Sequence, residues 1–475
     1  MIVLVDKGDS AGRVREMVEM LRARGADKVD IVDVKTLARQ GMPAERTKVL
    51  VPWGLRMAAL HVSLERDEML PYVLWHRDFC FDIEEKESLR ELIAQHSAEG
   101  NVKLMKDLNE AMMLSDVLHR RSRPHAMPLK LQVESTDRCN AHCIMCGHAY
   151  SPGSGTDAFR DGVVSRLTDA LPFVQTMILH GNGEPFLSHG LIAHLEELSA
   201  FGVSFITSTN LSVLPDGIID HLRDQFVELI VSCDAASREL YERIRPGLSF
   251  ERFCANVRQV RAACPDLRMK MAVVVMRQNI DICPDIVSFA SDLGFDGVVF
   301  NQLCPDPRCG NLEDVPTELP ERYQEAMRAA RIEGERRGIA VKTPSINCMI
   351  SKKMRSDKGL EDGDESEAAG IAPPRYNSVD SDVSGICDWL VDSAYIDARG
   401  NVAPCCMLQQ EVVGNVFDHA LAEIWRGDAC AALRGEFYRG SPPEACSGCD
   451  FLLQGRLSCM LVRSLAVEGS IKHAR

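Results

Sequence analysis

Three cysteines within eight residues carry the first chemical signal: Cys139-Asn-Ala-His-Cys143-Ile-Met-Cys146, a C-x3-C-x2-C spacing. Three thiolates so placed can grip three irons of a 4Fe-4S cubane and leave the fourth iron without a protein ligand. An open iron can chelate a small molecule and pass it an electron. The alternative is structural zinc with His142 or His148 as fourth ligand, although zinc is usually held by paired C-x2-C or C-x2-C plus H-x3-H units. A second group lies downstream, where Cys387, Cys405 and the pair Cys446-Ser-Gly-Cys449 offer four thiolates, enough for a complete cubane. Spacing leaves Cys406 as an alternative to Cys405, which fits a G-x4-C pattern from Gly400. The chain has 18 cysteines in all, and because disulfides are rare in the cytosol the clustered ones read as ligands. Cys348, Cys430 and Cys459 are alternative ligands whose other reading is a buried thiol, and Cys80, Cys233, Cys254, Cys264 and Cys283 read as buried thiols. Cys304 and Cys309 fall beyond the sixth barrel strand, near the barrel mouth.

The first cysteine group needs a scaffold that presents a loop at a strand end. From residue 127 apolar runs alternate with helical stretches, with strands expected at 129–134, 174–179, 203–207, 227–231, 269–276 and 297–300. Six such units predict a parallel sheet curled as a partial (β/α)6 barrel, with its site at the carboxyl ends of the strands. A long helix is expected near 318–337 and a further strand at 340–342. At 475 residues the chain exceeds what one core usually spans, and it divides into four parts. Residues 1–125 form an N-terminal domain, α/β over the first 60 and largely helical from 61 on, ending in Arg120-Arg-Ser-Arg123. The barrel occupies 126–345, an acidic linker or loop 346–382, and a cysteine-rich domain 383–475.

Beyond the cysteines, residues placed after successive strands resemble the radical S-adenosylmethionine superfamily. Gly181-Asn-Gly183-Glu184-Pro185 after the second strand is similar to the family's GGEP motif, with Asn182 replacing a glycine. The resemblance implies that Gly183, Glu184 and Pro185 bind the cofactor, with Glu184 and the neighbouring backbone carbonyls holding the ammonium group of S-adenosylmethionine. Thr209-Asn210 resembles the T-N-G element, with Leu211 in the glycine position. Ser232-Cys-Asp234 followed by Tyr241-Glu-Arg243-Ile-Arg245 resembles the S-x-D-G…Y-x-x-I-R segment. By that likeness Ser232 contacts the ribose, and Arg245 or Arg243 the carboxylate. Met145 stands where the family often has an aromatic residue, and its thioether can pack on adenine. In this family the open iron binds S-adenosylmethionine, whose reductive cleavage gives a 5'-deoxyadenosyl radical.

The second cysteine group lies in text that resembles the SPASM and twitch extensions of such enzymes: Ile396-Asp-Ala-Arg-Gly400, Gly414-Asn-Val-Phe417 and Glu423-Ile-Trp425-Arg-Gly427. Those extensions are a β-hairpin and a helix carrying auxiliary clusters. With Gly455 where a full SPASM continues its cysteines, one auxiliary cluster is expected, two 4Fe-4S clusters in total. With a single auxiliary cluster the chain resembles the twitch-type dehydrogenase that oxidises a secondary alcohol of an aminocyclitol, and that resemblance implies oxidation or epimerisation of a sugar, cyclitol or related metabolite. Modification of a ribosomally made peptide is the alternative, and a non-catalytic iron-sulfur or zinc scaffold the third reading. An electron donor such as flavodoxin or ferredoxin is implied. Asn301, Gln302 and Asp306, after the sixth strand, are candidates to face substrate; no catalytic acid or base is assigned.

A net charge of -15 disfavours nucleic acid as a partner. No apolar run reaches the roughly 18 residues of a membrane span, and Met1-Ile-Val-Leu-Val-Asp6 lacks the features of a signal peptide. The reading is of a cytoplasmic enzyme that binds neither nucleic acid nor membrane.

Overall fold

The computed structural model describes residues 120–150, 153–159, 162–303, 319–343 and 387–439, positions 441 and 446, helical positions between 102 and 116, and five N-terminal strands. Those strands are β1 (Ile2–Val5), β2 (Asp30–Asp33), β3 (Val49–Pro52), β4 (Tyr72–His76) and β5 (Phe79–Asp82), in the order β2-β1-β3-β4-β5. The first four are parallel neighbours and β5 runs antiparallel to β4. The α/β reading of the first 60 residues therefore extends further than expected. Two strands interrupt the stretch after 61 expected to be largely helical, because Tyr72-Val-Leu-Trp and Phe79-Cys-Phe are β-branched and aromatic runs too short for helical periodicity to test.

The second sheet has ten strands in the order β12-β11-β10-β9-β8-β7-β6-β13-β14-β15. Its first part is the expected barrel: β6 (Lys130–Val133), β7 (Thr176–Ile178), β8 (Ser204–Thr209), β9 (Phe226–Ser232), β10 (Met269–Val275), β11 (Gly297–Gln302) and β12 (Ala340–Lys342), all parallel. Each expected barrel strand is present. The connecting helices include Leu191–Ser199, Ile218–Asp224, Phe250–Ala263, Cys283–Asp292 and Pro320–Arg337. The last starts with Pro at its first position and stops at Gly338, whose φ of 72° suits a helix end that few side chains tolerate.

Burial alternates along the strands. On β8 Phe205, Thr207 and Thr209 are buried while Ser204, Ile206 and Ser208 are half-buried, and β10 alternates in the same way. Leu195, Leu222, Val257, Ile286 and Ala290 from the helices join Phe205, Met271 and Val273 in one core. One face of the sheet is thus sealed by helices, and the other stays open. Strand register puts Ser208 beside Ile230, Ser232 beside Ala272 and Val274 beside Asn301 on that open face.

The C-terminal part continues the barrel sheet. β13 (Ser393–Ile396) pairs parallel with β6, from Ser393↔Lys130 to Ile396↔Val133, and β14 (Asn401–Ala403) and β15 (Gly414–Asn415) continue antiparallel. The expected hairpin exists, but it is welded to the barrel's first edge. An open edge strand carries unpaired backbone groups, and β13 takes up those of β6. The acidic segment 346–382 lies outside the described residues. Among the described residues no helix is long and apolar enough to cross a membrane.

Candidate functional site: two cysteine loops on one sheet

Cys139, Cys143 and Cys146 lie in the loop that leaves the carboxyl end of β6. Cys143 is buried and the other two are half-buried. The loop is clamped from behind by the segment after helix Arg238–Ile244: the His142 N–H donates to Pro246 O (2.9 Å) and the Ile144 N–H to Ile244 O (3.0 Å). In front, Glu184 N donates to Arg138 O (2.7 Å), and a Cβ on Gly183 would overlap the carbonyl oxygens of Thr136 and Arg138. Only glycine lets the second-strand loop lie this close. Asn210 Nδ2 donates to Asn140 Oδ1 (3.0 Å), and Asn140 Nδ2 to Ser212 Oγ (2.8 Å).

Glu184 is 3% exposed, and its carboxylate accepts from Thr209 Oγ1 (2.5 Å), the Asn210 N–H (2.7 Å) and the Phe186 N–H (3.2 Å). Burial pushes its pKa up, against the pull of those three donors. A carboxylate has about four lone-pair sites, so about one remains for a further donor such as an ammonium. Glu184 ties the loop after β7 to the turn after β8. Pro185 opens a short 3-10 turn, Pro185–Leu187. In the glycine position of the T-N-G element, Leu211 takes φ 54° and is fully buried. The turn keeps its left-handed shape at a cost of about 1–2 kcal/mol.

Ser232 ends β9 on the open face, half-buried. Asn301 shares that face, whereas Gln302 is turned to the buried side and is not substrate-facing. Asp306 falls outside the described residues, as do Cys304 and Cys309. Arg243 is 58% exposed and ion-pairs with Glu239 at 3.9 Å. Arg245 is buried instead: one guanidinium nitrogen stands 2.7 Å from Asp234 Oδ2 and another 3.8 Å from Cys143 Sγ.

The three thiols fit a cubane's needs in kind. Burial raises the pKa of Cys139, and that of Cys143 to about 11, so each is a neutral thiol until ligation deprotonates it. Each lies within electrostatic reach of Cys146 and of Arg245.

Residues 133–290 match the Radical SAM superfamily, and residues 387–450 match the iron-sulfur cluster-binding SPASM domain. The chain carries a radical SAM domain and, C-terminal to it, a SPASM domain. It is 25% identical over 185 residues to the tungsten-containing aldehyde ferredoxin oxidoreductase cofactor-modifying protein of Pyrococcus furiosus, covering 37% of this chain. The chain spans about half, 51%, of that relative's length. Among solved structures it is similar to Streptococcus suis SuiB bound to its precursor peptide SuiA, with TM-score 0.49, 13% identity, 69% of this chain and 70% of that one. It is also similar to anSMEcpe with bound AdoMet, with TM-score 0.46, 15% identity, 68% of this chain and 83% of that one.

In the SPASM domain Cys387 caps the short helix Asp388–Asp392 before β13, and Cys405 and Cys406 follow β14. These three and Cys446 are half-buried; Cys449 lies outside the described residues. The geometry leaves Cys405 and Cys406 both available. Glu134, at the end of β6, joins the two cluster-bearing parts. Its buried carboxylate accepts from the Asn182 N–H (2.5 Å) of the radical SAM loop and from the Ala398 N–H (3.2 Å) of the SPASM hairpin.

Sequence reasoning missed His180, one residue before the glycine loop. The Ser208 N–H lies 3.1 Å from His180 Nδ1, and since a backbone N–H can only donate, the ring proton sits on Nε2. Burial drives its pKa from the ordinary 6.5 down to about 4. The folded state holds the ring neutral while the unfolded chain takes up a proton below about 6.5. Stability is therefore expected to fall by up to about 3 kcal/mol as the pH drops from about 6.5 to about 4. His180→Asn, whose Oδ1 can accept from the same N–H without charging, should flatten that decline in urea-unfolding midpoints measured against pH. An unchanged slope in the variant would assign the decline to other groups.

Proposed function

We propose that this radical SAM protein activates a C–H bond of a neutral, hydroxyl-bearing small molecule, of the sugar or cyclitol type, and oxidises or epimerises it. The observation behind this reading is the open face of the sheet, where His180, Ser208, Ser232 and Asn301 offer hydrogen bonds without net charge. The charged groups on the same face are already engaged, Glu134 by two N–H donors and Lys270 by Glu228. Binding polar, uncharged groups by a few placed donors and acceptors is how small-molecule sites gain specificity.

When bound, the first cluster and S-adenosylmethionine supply the radical that abstracts hydrogen from carbon. The chain's own residues hold and exclude. Cys139, Cys143 and Cys146 ligate three irons, Gly183 and Pro185 shape the loop against them, and the remaining acceptor site of Glu184 takes the cofactor's ammonium. Asn210 fixes the loop through Asn140, and Ser232 reaches the ribose. The fully buried sheet face keeps water behind the site, and Cys387, Cys405, Cys446 and Cys449 would hold the SPASM cluster, which would supply an acceptor for the second electron.

The relatives' names speak of a precursor peptide and of a cofactor, so the sugar or cyclitol assignment rests on the chemistry of the open face alone. Peptide modification is therefore the competing outcome. Anaerobically reconstituted protein with dithionite and S-adenosylmethionine should form 5'-deoxyadenosine. A panel of inositols and aminocyclitols should raise that yield by tenfold or more with at least one member. Stimulation by a peptide encoded beside the gene, and by no member of the panel, would overturn the small-molecule reading.

A further inference from the structure

The Arg245 guanidinium occupies a place that a ligand of S-adenosylmethionine would not need. Its side chain is 8% exposed, and Asp234, its ion-pair partner at 2.7 Å, is fully buried. Asp234 cannot follow a moving arginine, because its Oδ1 accepts from the Val274 N–H (2.7 Å) and its backbone carbonyl from Asn279 Nδ2 (3.0 Å). Swinging Arg245 out to the open face would leave a buried carboxylate without its cation, a strongly unfavourable change. On the other side the guanidinium lies 3.8 Å from Cys143 Sγ, within reach of an N–H···S hydrogen bond. The residues flanking it, Ile244 and Pro246, accept hydrogen bonds from the backbone on either side of Cys143. One short segment thus fixes the cysteine by its backbone and touches its sulfur with a cation.

We propose that Arg245 is a positioning residue of the first cluster: held by Asp234, it donates to Cys143 Sγ and sets the cluster's reduction potential, rather than binding the carboxylate of S-adenosylmethionine. This rests on the cluster assignment above. A hydrogen bond and a positive charge at a ligating sulfur favour the reduced cluster, which carries one more negative charge; a nearby anion opposes it. The two members of the pair therefore pull the potential in opposite directions. A purely structural ion pair would give losses of the same kind from either side.

The test is an EPR-monitored redox titration of the full-length, two-cluster protein without S-adenosylmethionine, with the SPASM cluster as internal reference. Arg245→Gln should make the first cluster at least tenfold harder to reduce, a shift of 59 mV for one electron, and Asp234→Asn should shift it the other way. The double variant should return toward the parent, and it carries the test if Arg245→Gln alone does not fold. Affinity for S-adenosylmethionine, by equilibrium dialysis, should change less than threefold. An unmoved potential, shifts of the same sign, or a tenfold loss of affinity in Arg245→Gln would overturn the proposal. Iron analysis of the parent keeps the two readings apart, because a parent without the first cluster would fail the assignment and not the role of Arg245.

Discussion

Replacing Cys139, Cys143 and Cys146 together with alanine is expected to halve the iron of the reconstituted protein, from about eight atoms to about four, and to abolish formation of 5'-deoxyadenosine. The expectation follows from the loop's construction. Its three thiols are the cysteines that the segment after helix Arg238–Ile244 and the Gly183 loop press into place, and no fourth protein thiol is matched to them in sequence. Because Cys139 and Cys146 are half-buried, alanine there leaves little core to collapse, so the fold should survive. Iron assay and product chromatography read the two effects. Continued 5'-deoxyadenosine formation by the triple variant would show that the cofactor is cleaved elsewhere.

The second large effect separates the clusters by role. Cys446→Ala with Cys449→Ala should leave reductive cleavage of S-adenosylmethionine in place and stop turnover of the substrate. Four thiolates saturate a cubane, so with the proposed ligands the SPASM cluster would have no open iron and would serve electron transfer or structure. Losing a cluster also removes binding energy that holds a small metal domain together. A circular dichroism spectrum must therefore show an intact fold. Parental turnover in a folded variant would make the cluster a structural staple, and loss of cofactor cleavage as well would end the division of labour.

Much of the barrel was legible because its signal is local. Each strand is an apolar run bounded by turn residues, and Glu184, Asn210 and Ser232 fall at strand ends, where short-range spacing finds them. Leu211 was legible only as an anomaly; the backbone shows it adopting the glycine conformation and burying its side chain. His180 was invisible for a different reason. Its importance comes from an N–H on the neighbouring strand, at Ser208, which no spacing within β7 announces. Arg245 was found, but its burial against Asp234 and Cys143 was not legible, since that depends on three segments meeting. The strands β4 and β5 were overlooked because runs of five and four residues carry too little periodicity to outweigh the helical text around them.

The pairing of β13 with β6 bears on how the protein reaches its native state. Glu134 and Ala398, which meet at that seam, are 264 positions apart in the chain. Closing so long a loop costs entropy before any contact across it is rewarded, so this seam should form late and slow the folding rate. Until then β6 is a bare edge in a newly made chain, able to pair with the same edge of another. A gene cut ahead of residue 387, where the match to the SPASM domain begins, would make that transient state permanent. Expression of residues 126–345 alone should accordingly yield aggregates or strand-paired oligomers, and cell-free synthesis should show the soluble fraction rising only once the chain has passed residue 398.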